Sequence, residues 1–230
     1  MSRHIPAAVL LDMDGTLVDT EPYWMTAENE LVRSFGGEWS AEDGLGLVGS
    51  GLAVSAAIMQ SRGVALSIDG IIAHLTQRVL DQAMGEIPWR PGALDLVRSV
   101  RDERIPTALV TMSMRPLAEH IAYAFEIPLF DIIVSGEDVG HPKPHPEPYL
   151  RAAELLGVDI KTCIAIEDSI PGLASAVASG AAAVGVPAHV PLPKSESYTL
   201  WTSLAGRTVD DLRDITLEHA GRNADSEAVT

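Results

Sequence analysis

Two carboxylates, Asp12 and Asp14, stand two residues apart at the end of an apolar run, in LLDMDGTLVDTE. Asp and Gly open tight turns, which accounts for Asp14-Gly15 but leaves Asp12 without a reason. Other residues able to do chemistry sit in comparable places. Thr111 closes the run PTALVT, Lys143 lies in the loop HPKPHPEPY, and Glu167 and Asp168 close TCIAIED. If these strand ends meet, one hydroxyl, one lysine and four carboxylates share a spot. At about 4 Å and an effective dielectric near 20, two like charges repel by roughly 4 kcal/mol. Such a cluster calls for a cation, and an anionic substrate, if this acidic chain handles one, would need a local positive charge from a metal ion or a placed lysine.

The elements that must position these residues follow from the hydrophobic rhythm. After Asp14 the pattern is helical up to about Arg90. EPYWMTAENELVRSFGG carries Trp24, Ala27, Leu31 and Phe35 at helical spacing, with Pro22 suited to a first turn and Gly36-Gly37 to a stop. Further helices are expected over 52–62 and 69–84. From Pro91 onward, helices alternate with short apolar runs: PTALVT, DIIVS, TCIAIE and AAAVGV. Runs that need not alternate in polarity suggest a parallel sheet covered on both faces. The expected fold is therefore α/β, a doubly wound parallel-sheet, Rossmann-like core with an all-helical cap inserted after strand one. The core would comprise 1–19 and 87–217, the cap 20–86, and 218–230 a polar, flexible tail. Hinges are expected at 19–22 and 86–92. In such sheets ligands bind beyond the carboxyl ends of the strands, where Asp12, Asp14, Thr111, Glu167 and Asp168 fall.

Composition narrows the function. A 47% apolar chain of 230 residues can bury a sizeable core, and its apolar stretches are too short for a membrane span or signal peptide, so a cytoplasmic protein is expected. The formal charge of −16 argues against nucleic acid and anionic membranes. There are three lysines, Lys143, Lys161 and Lys194, and one cysteine, Cys163, read as a small buried hydrophobe. A monomer or weak homodimer is expected.

Read together and in order, DMDGT, VTMS, the lysine of KPHPEPY and IEDSIPG resemble the motifs of the haloacid dehalogenase superfamily. The match is to the branch with a helical cap after the first motif, which holds phosphatases and beta-phosphoglucomutases, and it extends from about Ala7 to Leu212. The resemblance implies that Asp12 attacks phosphorus to form an aspartyl-phosphate, and that Asp14 protonates the leaving alcohol and then activates water. It implies Mg²⁺ held by Asp12, the main-chain carbonyl of Asp14 and Asp168, with Glu167 orienting or joining that set. Thr111 and the backbone N–H of Met112 would hold phosphate oxygens, and Lys143 would balance charge. Glu21 and Trp24, in DTEPYW, would face the substrate, with Gly49 and Ser50 in a cap loop above it.

The implied activity is a Mg²⁺-dependent phosphatase for a small phosphate ester, most plausibly a sugar or polyol phosphate. A carboxylate at Asp14 favours phosphoryl transfer over dehalogenation, where halide departs without a proton. Schiff-base phosphonate chemistry needs a cap lysine, and all three lysines follow Pro91. A mutase needs cap cations for a second phosphate, and SAEDGLGLVGSGLAVSAAIMQ has none. A non-catalytic phosphoacceptor module has no cap and places its aspartate after the third strand. Gly44, Gly46 and Gly49 spell G-x-G-x-x-G but do not follow a strand, which argues against a dinucleotide site. Prolines 142, 144 and 146 forbid a helix that would pair His141 with His145 on zinc. His74 and His120 are read as ordinary surface or half-buried residues.

Overall fold

The computed structural model describes residues 5–125 and 128–228. Its six strands are β1 (Val9–Leu11), β2 (Thr107–Val110), β3 (Ile132–Val134), β4 (Ile164–Glu167), β5 (Ala182–Gly185) and β6 (Tyr198–Leu200). They form one parallel sheet in the order β3-β2-β1-β4-β5-β6. β1 lies between β2 and β4, with Leu11 level with both Leu109 and Ile166. One residue further along each strand, Asp12, Val110 and Glu167 come to a common edge. This is the crevice in which ligands of open parallel sheets bind.

Four helices lie between β1 and β2 ahead of the core helices: α1 (Glu21–Ser34), α2 (Ala41–Leu45), α3 (Leu52–Ser61) and α4 (Ile68–Gly85). The core helices are α5 (Ala93–Asp102), α6 (Arg115–Ala122), α7 (Glu147–Leu156), α8 (Ile170–Ser179) and α9 (Val209–Ala228). Strands β1, β2, β4 and β5 are buried on both faces, which is why their sequences are apolar without alternation. Val9, Leu11, Leu109 and Ile166 pack with Leu96, Leu117 and Leu212 of α5, α6 and α9. Leu10, Val110 and Ala165 pack with Tyr149 of α7 and Leu173 of α8. Cys163 belongs to this second layer, and its thiol is pushed up to about 12 by burial and by the charge of Asp159. It is inert as a nucleophile at neutral pH.

The expected helices are present with small shifts of boundary. The structure adds α2, which the chain announces through a reciprocal cap: Ser40 Oγ accepts from Asp43 N, and the Asp43 carboxylate accepts from Ser40 N. It also adds β6 and α9. α9 continues through 218–228, where a polar tail was expected, leaving 229–230 outside the described residues. That stretch contains no proline, and the helix is anchored by buried Leu212 and Ile215 against the sheet. Among the described residues no helix is long and apolar enough to cross a membrane.

The segments leading into and out of 20–86 pair with each other. Val18 bridges Trp89 antiparallel, Asp19 N donates to Pro88 O at 2.8 Å, and Arg90 N donates to Leu17 O at 2.8 Å. The Arg90 guanidinium secures the joint by donating to the carbonyls of Gly15, Val186 and Pro187.

Candidate active site

The two strand-end aspartates have different neighbours. Asp12 is buried, and its Oδ1 accepts from Lys143 Nζ at 2.7 Å. Its Oδ2 is buried with no hydrogen-bond partner. Asp14 is fully engaged. Its Oδ1 accepts from Thr20 Oγ1 at 2.5 Å and Trp24 Nε1 at 3.1 Å, and its Oδ2 from Ser113 Oγ at 2.7 Å and Thr111 Oγ1 at 3.1 Å. Gly15 turns the chain directly after Asp14 with φ +79°, and a Cβ there would fall 2.0 Å from Asp168 Oδ2. Only glycine suits both that backbone and that approach.

Lys143 spends all three ammonium protons inside the protein, on Asp12 Oδ1, Val110 O at 2.9 Å and Glu167 Oε1 at 2.6 Å. Burial alone would lower its pKa, but Asp12 and Glu167 outweigh burial and hold it above the ordinary lysine value. Glu167, wholly buried, also accepts from Tyr149 Oη at 2.8 Å, Asp168 N at 3.2 Å and Ser169 Oγ at 3.3 Å. Its carboxylate is thus fixed from both sides and orients Lys143. Gly172 makes room for it, since a Cβ there would lie 2.0 Å from Glu167 Cδ.

Oxygens of Asp12, Glu167 and Asp168 lie within 4.8 Å of one another. Burial, then the charge of Glu167, pushes the Asp12 carboxyl well above its usual range despite Lys143. Burial, then Asp12 and Glu167, does the same to Asp168, which accepts no side-chain hydrogen bond among the described residues. Three buried carboxylates against one ammonium leave a deficit of positive charge. The donor set is all oxygen, an orphaned acceptor sits in its midst, and so the residues fit a hard divalent cation. The side chain of Asp14 stands outside this set.

These groups floor a cavity of about 90 Å³. Thr111, Met112 and Ser113 form one side, Ser169 another, and Glu21, Trp24, Glu28, Gly49, Ser50 and Ser55 of the helical insert close it. Gly49, at φ +75°, presses so closely on the core that a Cβ would lie 2.8 Å from Ser169 Cβ. Burial and the charge of Asp14 push Glu21 up to about 7. Every residue singled out from the sequence as a site residue therefore reaches one cavity or its immediate support. Sequence reasoning missed Ser113, Ser169, Glu28, Tyr149 and Arg90. Ser113 had a legible signal: it follows Thr111 by two in VTMS, and the structure turns both hydroxyls onto Asp14 Oδ2. Tyr149 had none, since its apolar helical spacing reads as core.

His141 and His145, which no helix could pair, are brought together by the loop, their rings 4.6 Å apart beside Glu147. The Glu147 carboxylate is already used by the N–H groups of Gly140 at 2.7 Å and His141 at 3.0 Å, which shapes the loop carrying Lys143.

Comparison with known proteins agrees with this geometry. The chain is 29% identical over 222 residues to a bifunctional riboflavin kinase/FMN phosphatase of Arabidopsis thaliana, covering 95% of this chain and 57% of that longer protein. It is 31% identical over 191 residues to hexitol phosphatase B of Escherichia coli K12, covering 81% and 85% of the two chains. Among solved structures, a CbbY mutant from Rhodobacter sphaeroides in complex with xylulose-(1,5)bisphosphate superposes with a TM-score of 0.79 at 29% identity, over 88% of this chain and 96% of that one. Residues 6–180 match the hydrolase family described as haloacid dehalogenase-like hydrolase, and the chain belongs to that family.

Proposed function

We propose that this enzyme is a Mg²⁺-dependent phosphatase that hydrolyses a small sugar or polyol phosphate through an aspartyl-phosphate on Asp12. The observation that carries the reading is Asp12 itself. One oxygen is pinned by Lys143 and the other is buried, unpartnered and in the wall of the cavity. A carboxylate so aligned is a nucleophile held ready, and its covalent use splits ester hydrolysis into two displacements. The cation would be held by Asp12, Asp168 and the main-chain carbonyl of Asp14, and when bound it neutralises phosphate charge.

Attack by Asp12 breaks the bond from phosphorus to the leaving oxygen, which then needs a proton. Asp14 can supply one because its Oδ2 neighbours, Thr111 and Ser113, are hydroxyls, and one of them can turn from donor to acceptor when Oδ2 is protonated. Once the proton has gone to the alcohol, the same carboxylate, held by four donors, takes a proton from the water that attacks the phosphoaspartate. Gly49 against Ser169 closes the cavity over these steps.

Hydrolysis is favoured over phosphosugar isomerisation because Lys143 is the sole Lys or Arg among the described residues lining the cavity. A second phosphate would meet Glu21 and Glu28. The hexitol phosphatase relative supports a polyol or sugar leaving group. Incubation with β-glucose 1-phosphate plus catalytic glucose 1,6-bisphosphate, beside a panel of hexitol and ketose monophosphates, tests this. Inorganic phosphate is the expected main product; efficient formation of glucose 6-phosphate with little phosphate release would overturn the reading in favour of a mutase.

A further inference from the structure

Glu21, Trp24 and Glu28 occupy one face of α1, spaced three and four residues apart, and all three line the cavity. Trp24 is committed to Asp14. Glu28 has no part in the proposed chemistry. It is only 5% exposed, and its Oε2 is buried with no hydrogen-bond partner. The indole N–H of Trp39 lies close enough to draw on the carboxyl weakly, yet Trp39 Nε1 is also without a partner. On the side of α2, Gly44 packs so near that a Cβ would stand 3.4 Å from Glu28 Oε2 and 3.3 Å from Met25 Cγ. Oε2 therefore lies on this filled side, whereas Oε1 makes no hydrogen bond among the described residues and Glu28 lines the cavity, where a partner for Oε1 can be added.

The chemistry of the missing partner follows from the surroundings. An anion is excluded, since Glu21 shares the helix face and the cavity cation belongs to the phosphate end. Burial, then the Glu21 charge, pushes the Glu28 carboxyl up to about 8, so at neutral pH it carries a proton and can both donate and accept. A hydroxyl does the same. Resting on the phosphatase reading, we infer that Glu28 is the specificity-determining residue of the cavity, hydrogen-bonding a hydroxyl of an uncharged, polyhydroxylated leaving group. A site built to bond a hydroxyl rejects analogues that lack it far more strongly than an apolar pocket rejects an added one.

The test is calorimetric titration with sorbitol 6-phosphate, phosphoethanolamine and inorganic phosphate in the presence of Mg²⁺. An Asp12→Asn background prevents turnover, and Glu28 is the parent residue, Gln or Leu. With Glu28→Leu, the affinity for sorbitol 6-phosphate relative to inorganic phosphate should fall about 10- to 100-fold. With Glu28→Gln, which keeps a donor and an acceptor, it should recover to within about threefold of the parent. If Glu28 merely props Trp39, both variants lower the melting temperature and leave that ratio unchanged, which overturns the inference. Tighter binding of phosphoethanolamine than of sorbitol 6-phosphate overturns it too, since the carboxyl would then be an ammonium site. If the ligands bind with the expected ratios but the enzyme with Asp12 intact releases no phosphate from any ester, the phosphatase reading alone is overturned. A parent that binds none of them sinks both.

Discussion

Lys143 Nζ stands 2.7 Å from Asp12 Oδ1, yet the two residues are separated by 131 positions in the chain, one at the end of β1 and the other in the loop between β3 and α7. The contact fixes which oxygen of Asp12 is tied and which is left to react. Asp12→Asn should therefore fold and bind ligand while losing turnover by about three orders of magnitude or more. Rapid quench with a labelled ester should trap phosphate on the parent enzyme alone. Retention of more than about 1% of activity, after deamidation is excluded, would remove Asp12 from the chemistry.

Metal dependence follows from the charge imbalance of Asp12, Glu167 and Asp168 against Lys143. Chelation should abolish turnover and Mg²⁺ should restore it. At a hundred times its Kd, Mg²⁺ should stabilise the fold by about 2.7 kcal/mol, or roughly 5–10 °C in melting temperature. Asp168→Asn should cancel most of that shift. Scanning calorimetry with and without Mg²⁺ checks both statements.

Gly172→Ala should behave as an active-site mutation although Gly172 touches no substrate. Its new Cβ would overlap the Glu167 carboxyl at 2.0–2.1 Å, and that carboxyl can move only by releasing Lys143 or Tyr149. A stability loss of about 1–3 kcal/mol is expected, with a larger proportional loss of kcat than of substrate affinity. Denaturant melts and steady-state kinetics on the same preparation separate the two.

The pH dependence of stability should carry a signature of Glu28. Its folded pKa, about 8, lies above the ordinary 4.5, so between these values the native state binds the proton and the unfolded chain does not. Its contribution is fully present below about pH 4.5 and is lost as the pH rises through about 8. Glu28→Gln cannot ionise. The melting temperature of the variant should therefore gain on the parent by several degrees between about pH 5 and about pH 9. A constant difference across that range would show that the parent carboxyl titrates normally.

Much of this site was legible before the fold was known. Aspartates, threonine and the Glu-Asp pair each end a run that reads as a buried strand, Lys143 stands in a proline-rich loop, and parallel pairing brings the strand ends to one edge. What stayed hidden depended on contacts that leave no periodicity. Tyr149 reaches Glu167 from the middle of a helix, and Arg90 clamps three carbonyls as far apart in the chain as Gly15 and Pro187. Glu28 was obscured for a different reason. On a helix of mixed polarity a carboxylate reads as solvated, and only the packing of Gly44 behind it shows that it faces inward. The sixth strand and α9 were missed because YTL is too short and too mixed to stand out. The polar half of α9 hides the buried anchors of its first turns.

The side-by-side pairing of Val18 with Trp89 has an evolutionary consequence. The chain leaves the sheet and returns to it at one stitched point, so the length of chain in between can change without moving the strand ends apart. Asp12, Lys143 and Asp168 can be inherited unchanged while the intervening helices are rewritten residue by residue. A lineage built on such a joint can diversify its diet of esters without reinventing its reaction.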